Sequence, residues 1–247
     1  MSSARIYSTS TIRAKLLPSK GEDMNKVLIT GAGGGIGKKV AELFASKGFE
    51  VDSIGREEVD LSDRATLEEY LSTKKMDYDV VIHCAAINDP KPFEEIGYDD
   101  LDKTTEVNLF SFYRIIQSVL PHMKKAGGGK IVGVSSIYGT ISRAKRLPYS
   151  ISKHGMGALV KTLALEVGCH NILVNSVSPG FVDTKLTHKN LTEAEIKALE
   201  DKIPVRRLAK PEEIANVIYF LCSEENTYIT GQNILVDGGY IVGGFQE

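Results

Sequence analysis

KVLITGAGGGIGK, residues 26–38, is the stretch of this 247-residue chain that decides its fold. A run of branched apolar residues leads into four glycines within positions 31–35, and an amphipathic helical pattern follows over Lys38–Lys47. Glycine lets a backbone approach a phosphate group closely, and the N–H groups at the start of a helix attract such an anion. The stretch therefore predicts a strand, a phosphate-binding turn and a helix, rather than a turn that is only flexible.

The spacing of the glycines narrows the choice of motif. A GxGxxG fingerprint that starts at Gly31 would need glycine at position 36, where the chain has isoleucine. A P-loop, GxxxxGK[ST], fails because alanine takes the place of its first glycine and lysine that of its Ser or Thr. The pattern that fits is TGxxxGxG, with Gly31, Gly35 and Gly37.

Further apolar runs follow the first, and helical patterns separate them. Most of these runs are apolar at successive positions rather than at alternate ones, as is typical of strands that are covered on both faces. Together they predict strands at Val27–Thr30, Val51–Ile54, Val80–Ala85, Ile131–Ser135, Ile172–Val177 and Ile234–Val236. Alternating strands and helices connect by right-handed crossovers and build a parallel sheet with helices on both faces. No repeat or linker divides the chain, so we expect one doubly wound α/β domain over residues 24–247.

The helices are predicted from apolar spacing and from start signals. Ser62 is a candidate N-cap, Thr192 with Glu195 forms a capping box, and Pro211 stands where a helix begins. Besides the two helices that begin near Thr192 and Pro211, the predicted helices are Lys38–Lys47, Asp63–Thr73, Leu101–Met123 and Tyr149–Val167. Ligands of doubly wound sheets bind beyond the carboxyl ends of the strands, so we expect the functional residues there.

Charge and composition argue against several classes of protein. The net charge is −2 and no long run of Lys and Arg occurs, so neither nucleic acid nor an anionic membrane surface is an expected partner. No apolar stretch reaches the ~18 residues of a membrane span. Cys84, Cys169 and Cys222 are widely spaced and predict buried free thiols rather than disulfides. Because the chain has no CxxC pair and no HExxH motif, we expect no metal site.

The first 23 residues differ from the rest of the chain. Residues 1–20 contain Arg5, Arg13, Lys15 and Lys20, many Ser and Thr, and no acid. This composition is compatible with an organellar transit peptide. The favoured alternative is a mis-assigned start, because Met24 runs straight into the first strand. We expect residues 1–23 to be a leader outside the domain, and the protein to be cytoplasmic unless that leader directs it to an organellar matrix.

Seven motifs resemble those of the short-chain dehydrogenase/reductase family in its compact form. They stand in that family's order and cover about residues 25–240: TGAGGGIG (30–37), HCAA (83–86), VNLF (107–110), VSSIYG (134–139), YSISK (149–153), SPGFVDT (178–184) and YITGQNILVDGG (228–239). A YxxxK pattern alone is common by chance, whereas seven motifs in register are not. The resemblance implies a single-domain Rossmann fold and an oxidoreductase that uses a nicotinamide dinucleotide.

Tyr149 and Lys153 are separated by four positions, so both side chains lie on one face of a helix. A free tyrosine has a pKa of ~10, and a neighbouring ammonium would lower that pKa toward neutrality. The resemblance implies that Tyr149 protonates a carbonyl oxygen, that Ser136 binds this oxygen, and that Lys153 also binds the nicotinamide ribose. It implies that Asn108 leads a water-linked proton relay to the lysine. Taken singly, each residue has an ordinary structural explanation, but the joint spacing favours catalysis.

The resemblance also implies a set of cofactor contacts. Thr184 would reach the nicotinamide amide, Asp60 the adenine, and Ala85 the adenosine half. Besides Tyr149 and Lys153, the expected contacts are Gly31, Gly35, Ile36, Gly37, Arg56, Asp60, Leu61, Ala85, Pro179, Gly180, Val182 and Thr184. The chain departs from the family at positions 83–86, where HCAA replaces the usual Asn-Asn-Ala-Gly.

Arg56 bears on the choice of nicotinamide cofactor. An acid at the end of the second strand binds the ribose 2′-OH of NAD, whereas arginine there suits the 2′-phosphate of NADP. The second strand is followed by Gly55 and Arg56, so NADP(H) is favoured and NAD(H) stays possible. A shift of register would instead make Asp52 the strand-end acid. Because the link after Arg56 is too short for a helix, we expect Val59–Leu61 to be the next strand.

The wording of the later motifs favours one branch of the family. Ile203–Leu208 and Pro211–Ile214 resemble the 3-oxoacyl-thioester (acyl-carrier-protein) reductases, so an NADPH-dependent ketoreductase is the first hypothesis. An alcohol, sugar or polyol dehydrogenase is the second. A non-catalytic dinucleotide sensor would be expected to lose the catalytic tyrosine or lysine, and both are present. Expected partners are a small carbonyl or alcohol substrate and further copies of the chain, in a homotetramer or homodimer joined by Leu101–Met123 and Tyr149–Val167.

Overall fold

The sheet is built from the six predicted strands, each close to its predicted position. In the computed structural model, which describes residues 26–243, they are β1 (Lys26–Thr30), β2 (Glu50–Ile54), β3 (Val80–His83), β4 (Gly129–Val134), β5 (Ile172–Pro179) and β6 (Asn233–Val236). The expected leader, residues 1–23, lies outside the described residues. Neighbouring strands are parallel in the order β2-β1-β3-β4-β5-β6, so the predicted doubly wound parallel sheet is confirmed.

Eight α-helices lie in the described part of the chain. They are α1 (Gly35–Ser46), α2 (Arg64–Thr73), α3 (Tyr98–Thr105), α4 (Ser111–Ala126), α5 (Leu147–Val167), α6 (Lys185–Asn190), α7 (Glu193–Glu200) and α8 (Pro211–Cys222). Two start signals are confirmed, because Thr192 and Glu195 form a capping box and Pro211 opens α8. The long helix predicted over Leu101–Met123 is instead α3, a π-helical segment at Glu106–Phe110, and α4.

The strands β1, β3, β4 and β5 are buried along nearly their whole length because both faces of the sheet are covered there, whereas the edge strand β2 is partly exposed. Along β1, Leu28 packs into a core with α2, α4 and α5, while Val27 and Ile29 pack into a second core with α1 and α8. Neighbouring side chains on a strand point to opposite faces, so each must be apolar when helices cover both. Phe112 and Phe44 are fully buried, one in each core, and burying such a side chain contributes roughly 1.5–3 kcal/mol.

The order of the strands reverses beside β1. The chain passes from β1 to β2 on one side and then returns to place β3 on the other side of β1. The carboxyl ends are level, with Thr30 of β1 paired to Ile54 of β2 and to His83 of β3. Ligands of doubly wound sheets bind in the crevice at such a switch point. The glycine loop that follows Thr30 therefore lies at this crevice.

The link between β2 and β3 differs from its prediction. Val59–Leu61 is not a strand, because the Asp63 N–H donates to the Asp60 carbonyl at 2.9 Å and closes a turn there. The crossover is made by α2, and its N-cap is Asp63 rather than Ser62. The Asp63 carboxylate accepts hydrogen bonds from two backbone N–H groups of the first helical turn. Serine and aspartate both cap helices well, and the negative charge of Asp63 also interacts favourably with the positive end of the helix dipole.

The cysteines are not uniformly buried. Cys222 is buried in α8 and Cys84 is half-buried after β3, but Cys169 is exposed in the turn that follows α5. The prediction of buried thiols is therefore wrong for Cys169, because glycine and histidine flank it in place of an apolar run. No helix between residues 26 and 243 has the length and apolarity needed to cross a bilayer.

Candidate active site

The residues assigned from the sequence converge on one cleft beyond the carboxyl ends of the strands. The cleft has a volume of about 520 Å³. Among the predicted site residues, those that line it are Gly31, Gly35, Ile36, Gly37, Arg56, Asp60, Leu61, Ala85, Ser136, Tyr149, Lys153, Pro179, Gly180, Val182 and Thr184. Asn108 is the exception, since it is fully buried behind the cleft wall.

The glycine loop is a cradle that side chains would fill. Gly31 has a φ of +72°, and a β-carbon there would lie 2.7 Å from the Ala85 nitrogen. A β-carbon at Gly37 would overlap the Gly31 carbonyl oxygen, so neither position accepts another residue without a shift of backbone. α1 begins within this loop, its first turn holds no acid, and its first residues line the cleft. The unpaired N–H groups of that turn suit a pyrophosphate, so the residues present fit a dinucleotide.

The hydroxyl groups of Ser136 and Tyr149 lie next to each other in the cleft. Ser136 follows β4 and caps the short turn after it, accepting the Tyr138 N–H at 3.2 Å. Burial raises the pKa of Tyr149, and a hydrogen bond with the Ser136 hydroxyl opposes part of that rise. The ring of Tyr138 packs edge-on against that of Tyr149, with 6.4 Å between centroids. Tyr149 therefore keeps its proton at neutral pH and lies beside a second hydroxyl.

Lys153 lies one turn further along α5 and is 1% exposed. Its Nζ donates to the Val134 carbonyl at 2.6 Å and lies 5.5 Å from the centre of the Tyr149 ring. Burial lowers the pKa of Lys153 to about 8. The sequence argument expected this ammonium to lower the pKa of Tyr149, but that pKa is raised. The reason is that burial of the phenol outweighs the stabilising contacts, while the ammonium is directed at a carbonyl oxygen.

Asn108 lies on the π-helical segment between α3 and α4. Its Oδ1 accepts the Ile87 N–H at 2.8 Å, and its Nδ2 donates to the Ile87 carbonyl at 3.0 Å and to the Ser152 hydroxyl at 3.1 Å. Both amide hydrogens are therefore in use within the protein. The water-linked relay from Asn108 to the lysine stays a prediction.

His83, where the family usually has asparagine, is fully buried at the end of β3. Its Nε2 lies 3.1 Å from the Val107 carbonyl and its Nδ1 lies 2.8 Å from the Thr30 hydroxyl. A carbonyl oxygen only accepts, so Nε2 carries the hydrogen and the Thr30 hydroxyl donates to Nδ1. Burial, with the charge of Lys153 added, lowers the pKa of His83 to about 3, so the ring is neutral. It therefore ties β1 and β3 to the π-helical segment that holds Asn108.

Arg56 lines the cleft two residues after the end of β2. Asp60 lines the same wall, and hydrogen bonds from Ser62, with a smaller contribution from the Arg56 charge, lower its pKa. Asp52, the alternative strand-end acid, does not line the cleft. Its carboxylate accepts the Tyr78 hydroxyl at 2.8 Å. Arg56, and not Asp52, therefore lies at the site.

The segment after β5 closes the other side of the cleft. A β-carbon at Gly180 would lie 2.8 Å from the Asp237 Cα, which explains why glycine stands there. Thr184 caps α6 and lies against the glycine loop, where a β-carbon at Gly35 would meet its methyl group at 3.5 Å. Val182 pairs with Ala209 in a parallel bridge and is buried. These contacts hold the segment over the glycine loop.

Several residues that line the cleft were not predicted. They include Tyr138 and Asn88, and two arginines, Arg143 and Arg146, that precede Tyr149. The sequence carried a signal for the arginines. Three cations stand within residues 143–146, between the serine and tyrosine motifs, where the chain must pass the substrate.

Comparison with known proteins identifies relatives of this chain. The family model described as Enoyl-(Acyl carrier protein) reductase matches residues 52–241. A 3-oxoacyl-[acyl-carrier-protein] reductase of Thermotoga maritima is 36% identical, covering 87% of this chain and 97% of its own. A 7alpha-hydroxysteroid dehydrogenase of Escherichia coli is 33% identical, covering 86% and 92%. The crystal structure of a short chain dehydrogenase family protein from Francisella tularensis has a TM-score of 0.81 at 27% identity, covering 89% and 100%.

The parallel sheet, the glycine cradle and the paired hydroxyls beside a buried lysine define a nicotinamide-dependent oxidoreductase. The chain belongs to the short-chain dehydrogenase/reductase family, as its motifs predicted. It is an enzyme that transfers hydride between a nicotinamide cofactor and a hydroxyl or keto group of a small molecule.

Proposed function

We propose that the protein uses NADPH to reduce the ketone of a 3-oxoacyl thioester. The arrangement of Ser136, Tyr149 and Lys153 beside the glycine cradle carries this proposal. The raised pKa of Tyr149 supports reduction, because a phenol that keeps its proton can donate it, whereas alcohol oxidation needs a base. The 36% identity to the Thermotoga maritima reductase supports the thioester as substrate.

Each catalytic residue has its own role in this proposal. The hydroxyls of Ser136 and Tyr149 bind the carbonyl oxygen, and Tyr149 transfers its proton to that oxygen as negative charge develops there. The nicotinamide, when bound, supplies the hydride. Lys153 binds the nicotinamide ribose, and its ammonium stabilises the phenolate that remains after proton transfer. Asn108 holds the Ile87 backbone and α5 in place.

The remaining cleft residues are proposed to hold the cofactor. The glycine loop and the first turn of α1 would bind the pyrophosphate, and Asp60, Leu61 and Ala85 the adenosine half. The segment from Pro179 to Thr184 would bind the nicotinamide. All of these line the one cleft, which supports a common ligand.

We propose that NADPH is preferred over NADH because of Arg56. Within residues 26–243 its guanidinium forms no ion pair, although three acids lie near it in sequence. The Glu58 carboxylate accepts the Gly55 N–H at 2.5 Å, and Asp60 accepts from Ser62. Arg56 is therefore available for a 2′-phosphate.

Consumption of NADPH against a panel of carbonyl compounds that includes an acetoacetyl thioester tests the proposed reaction. We expect turnover of the thioester, faster with NADPH than with NADH. Oxidation of secondary alcohols with NADP⁺ but no reduction of any ketone would contradict the proposal and support the alcohol, sugar or polyol dehydrogenase.

We further propose that the chain forms a homotetramer or homodimer through the π-helical segment, α4 and α5. Phe110, Tyr113, Ile151 and Leu165 are exposed apolar side chains on this part of the molecule. Exposed apolar patches of this kind mark interaction surfaces. A monomer mass in light scattering at micromolar concentration would contradict this assembly.

We also propose that residues 24–247 form a single catalytic domain that does not need residues 1–23. β1 begins at Lys26, directly after Met24 and Asn25. A chain that starts at Met24 is expected to keep its solubility and activity, and loss of either would show that the leader is needed.

A further inference from the structure

The guanidinium of Arg146 is buried in the wall of the cleft with no carboxylate beside it. The residue is 9% exposed and lines the cleft at the N-cap of α5. Its Nη1 donates to the Asn88 side-chain oxygen at 2.9 Å, and within residues 26–243 it forms no ion pair. Removing a charge from water is costly unless an opposite charge or several hydrogen bonds compensate. Within residues 26–243 no buried side-chain nitrogen lacks a hydrogen-bond partner, so the Arg146 nitrogens that Asn88 does not bind are open to the cleft, where they can donate to an anion.

A second arginine, Arg143, adds positive charge to the same cleft. Arg143 lines the same cleft and lies near enough for its charge, after burial, to lower the pKa of Arg146. The acid within electrostatic reach of Arg143 is Glu195, but the Glu195 carboxylate is bound to the N–H and hydroxyl of Thr192. Among the described residues that line the cleft, the acid is Asp60, near Arg56. Two positive charges, buried Arg146 and exposed Arg143, therefore face one cleft, and neither forms an ion pair within residues 26–243.

The position of Arg146 at the start of α5 indicates which part of the cleft its side chain faces. Tyr149 and Lys153 lie four positions apart on one face of α5, and Arg146 is the N-cap residue three positions before Tyr149. All three line the cleft. Lys153 lies toward the glycine cradle, because its charge acts on Cys84, whose side chain packs at Gly37. Arg146 lies one turn beyond Tyr149 in the opposite direction. It therefore flanks the reacting carbonyl on the side away from the cofactor phosphates.

We infer that Arg146, assisted by Arg143, binds a carboxylate or phosphate group that the substrate carries close to its reacting carbonyl. The inference rests on the proposed reduction at Tyr149, since that hydroxyl marks the position of the carbonyl. A guanidinium presents its N–H groups as a planar fork that matches either anion. The Asn88 contact uses one of these groups and fixes the orientation of the fork.

The distance along the helix limits where the anion can be. Side chains three residues apart on a helix have Cβ atoms about 5–6 Å apart. The anion is therefore expected on the part of the substrate next to the carbonyl carbon, within reach of the Arg146 side chain. The phosphate at the far end of a pantetheine carrier arm is too remote, so the acidic group belongs to the part of the substrate that is reduced.

Two matched pairs of carbonyl compounds test this inference. The carboxylate pair is monoethyl 3-oxoglutarate and the same ester with its free acid replaced by a carboxamide. The phosphate pair is hydroxyacetone phosphate and hydroxyacetone. The kcat/KM with NADPH is measured for all four compounds, and calorimetry measures their binding in the presence of NADP⁺.

In the native protein we expect the charged member of at least one pair to be preferred by roughly ten- to hundredfold, the range of a charge-assisted hydrogen bond. The pair that shows the preference identifies the anion. Arg146→Gln should reduce that ratio toward one, and Arg146→Lys should keep part of it, because the charge remains without the fork. Lys161→Gln, which removes an exposed charge from the same helix, is the matched control and should leave the ratio unchanged.

The outcomes separate this inference from the proposed function. Equal kcat/KM for the charged and neutral members of both pairs would overturn the role of Arg146 while supporting ketone reduction. Binding of a charged compound that is lost in Arg146→Gln, without turnover of any compound, would support the anion site and contradict the reaction. A charge preference that persists in Arg146→Gln would also overturn the assignment.

Discussion

The side chain of Asn108 binds both backbone polar groups of Ile87, at 2.8 Å to the N–H and 3.0 Å to the carbonyl. The remaining amide hydrogen reaches the Ser152 hydroxyl on α5 at 3.1 Å. One buried side chain thus ties the segment after β3, which lines the cleft, to the helix that carries Tyr149 and Lys153. The same amide therefore positions the wall of the cleft and α5.

Asn108→Ala is expected to lower the free energy of unfolding by roughly 1–3 kcal/mol, because it leaves the Ile87 backbone groups unpaired. It should also raise the KM for the cofactor, since Ile87 lines the cleft. Urea unfolding and steady-state kinetics measure the two effects. Ser152→Ala removes the third contact and the hydrogen bond from Ser152 to the Tyr149 carbonyl, but it leaves both Ile87 contacts in place, so it is the matched control. Equal stability of both variants and the native protein would contradict the role given to Asn108.

His83 is expected to make the fold sensitive to acid. Its pKa is about 3 in the folded protein against an ordinary 6.5, so the unfolded chain binds the proton between these values. The stability from the neutral ring is complete above about pH 6.5 and is lost as pH falls toward 3. One such group changes the free energy of unfolding by about 1.4 kcal/mol per pH unit. Urea unfolding at pH 7, 6 and 5 measures this slope.

The variant His83→Gln separates this effect from that of other groups. Glutamine can donate to the Val107 carbonyl and accept from the Thr30 hydroxyl, but it does not titrate. We expect its stability to fall less steeply below pH 6.5 than that of the native protein. Parallel slopes for the two proteins would show that other groups determine the acid sensitivity.

Patterns in the sequence predicted the sheet, the glycine loop and the cleft, because each depends on local chemistry. Apolar runs define strands, and the glycines after β1 are required where the loop meets Ala85. The contact between Asn108 and Ile87 could not be predicted, since it joins positions 21 apart through a π-helical segment that no periodicity signals. Arg146 was missed because an arginine before a helix usually lies in solvent, and only the packing of the cleft shows it buried.

Tyr149→Phe should reduce kcat by at least the ~10²–10⁴-fold that general acid catalysis contributes. The substitution removes the hydroxyl and its proton but keeps the ring that packs against Tyr138. Binding of NADPH, measured by fluorescence, should change little. Lys153→Ala should impair both binding and turnover, because the lysine is proposed to serve the ribose and the phenolate. Near-normal turnover in Tyr149→Phe would contradict the mechanism.

The reductive activity should decline as pH rises through the pKa of Lys153, about 8. The ammonium is present below this pH and is lost above it, so kcat/KM should be level near neutrality and then fall about tenfold per pH unit. The pKa of Tyr149 is raised, so the tyrosine does not cause this decline. Lys153→Arg keeps its charge at high pH and, although slower, should show no decline near pH 8.

Arg56 should determine the preference for NADPH over NADH. Replacement by alanine removes the charge partner of a 2′-phosphate and nothing that NADH needs, so binding of NADPH should weaken by about tenfold while that of NADH hardly changes. The effect belongs at the lower end of the range for a charge-assisted contact, because Arg56 is exposed and Glu57 lies beside it. Dissociation constants of both cofactors for each variant measure it. Asp52→Asn is the matched control: its carboxylate binds Tyr78 and does not line the cleft, so neither constant should change. If the native protein prefers NADH and Asp52→Asn binds NADH more weakly, Asp52 rather than Arg56 determines the choice of cofactor.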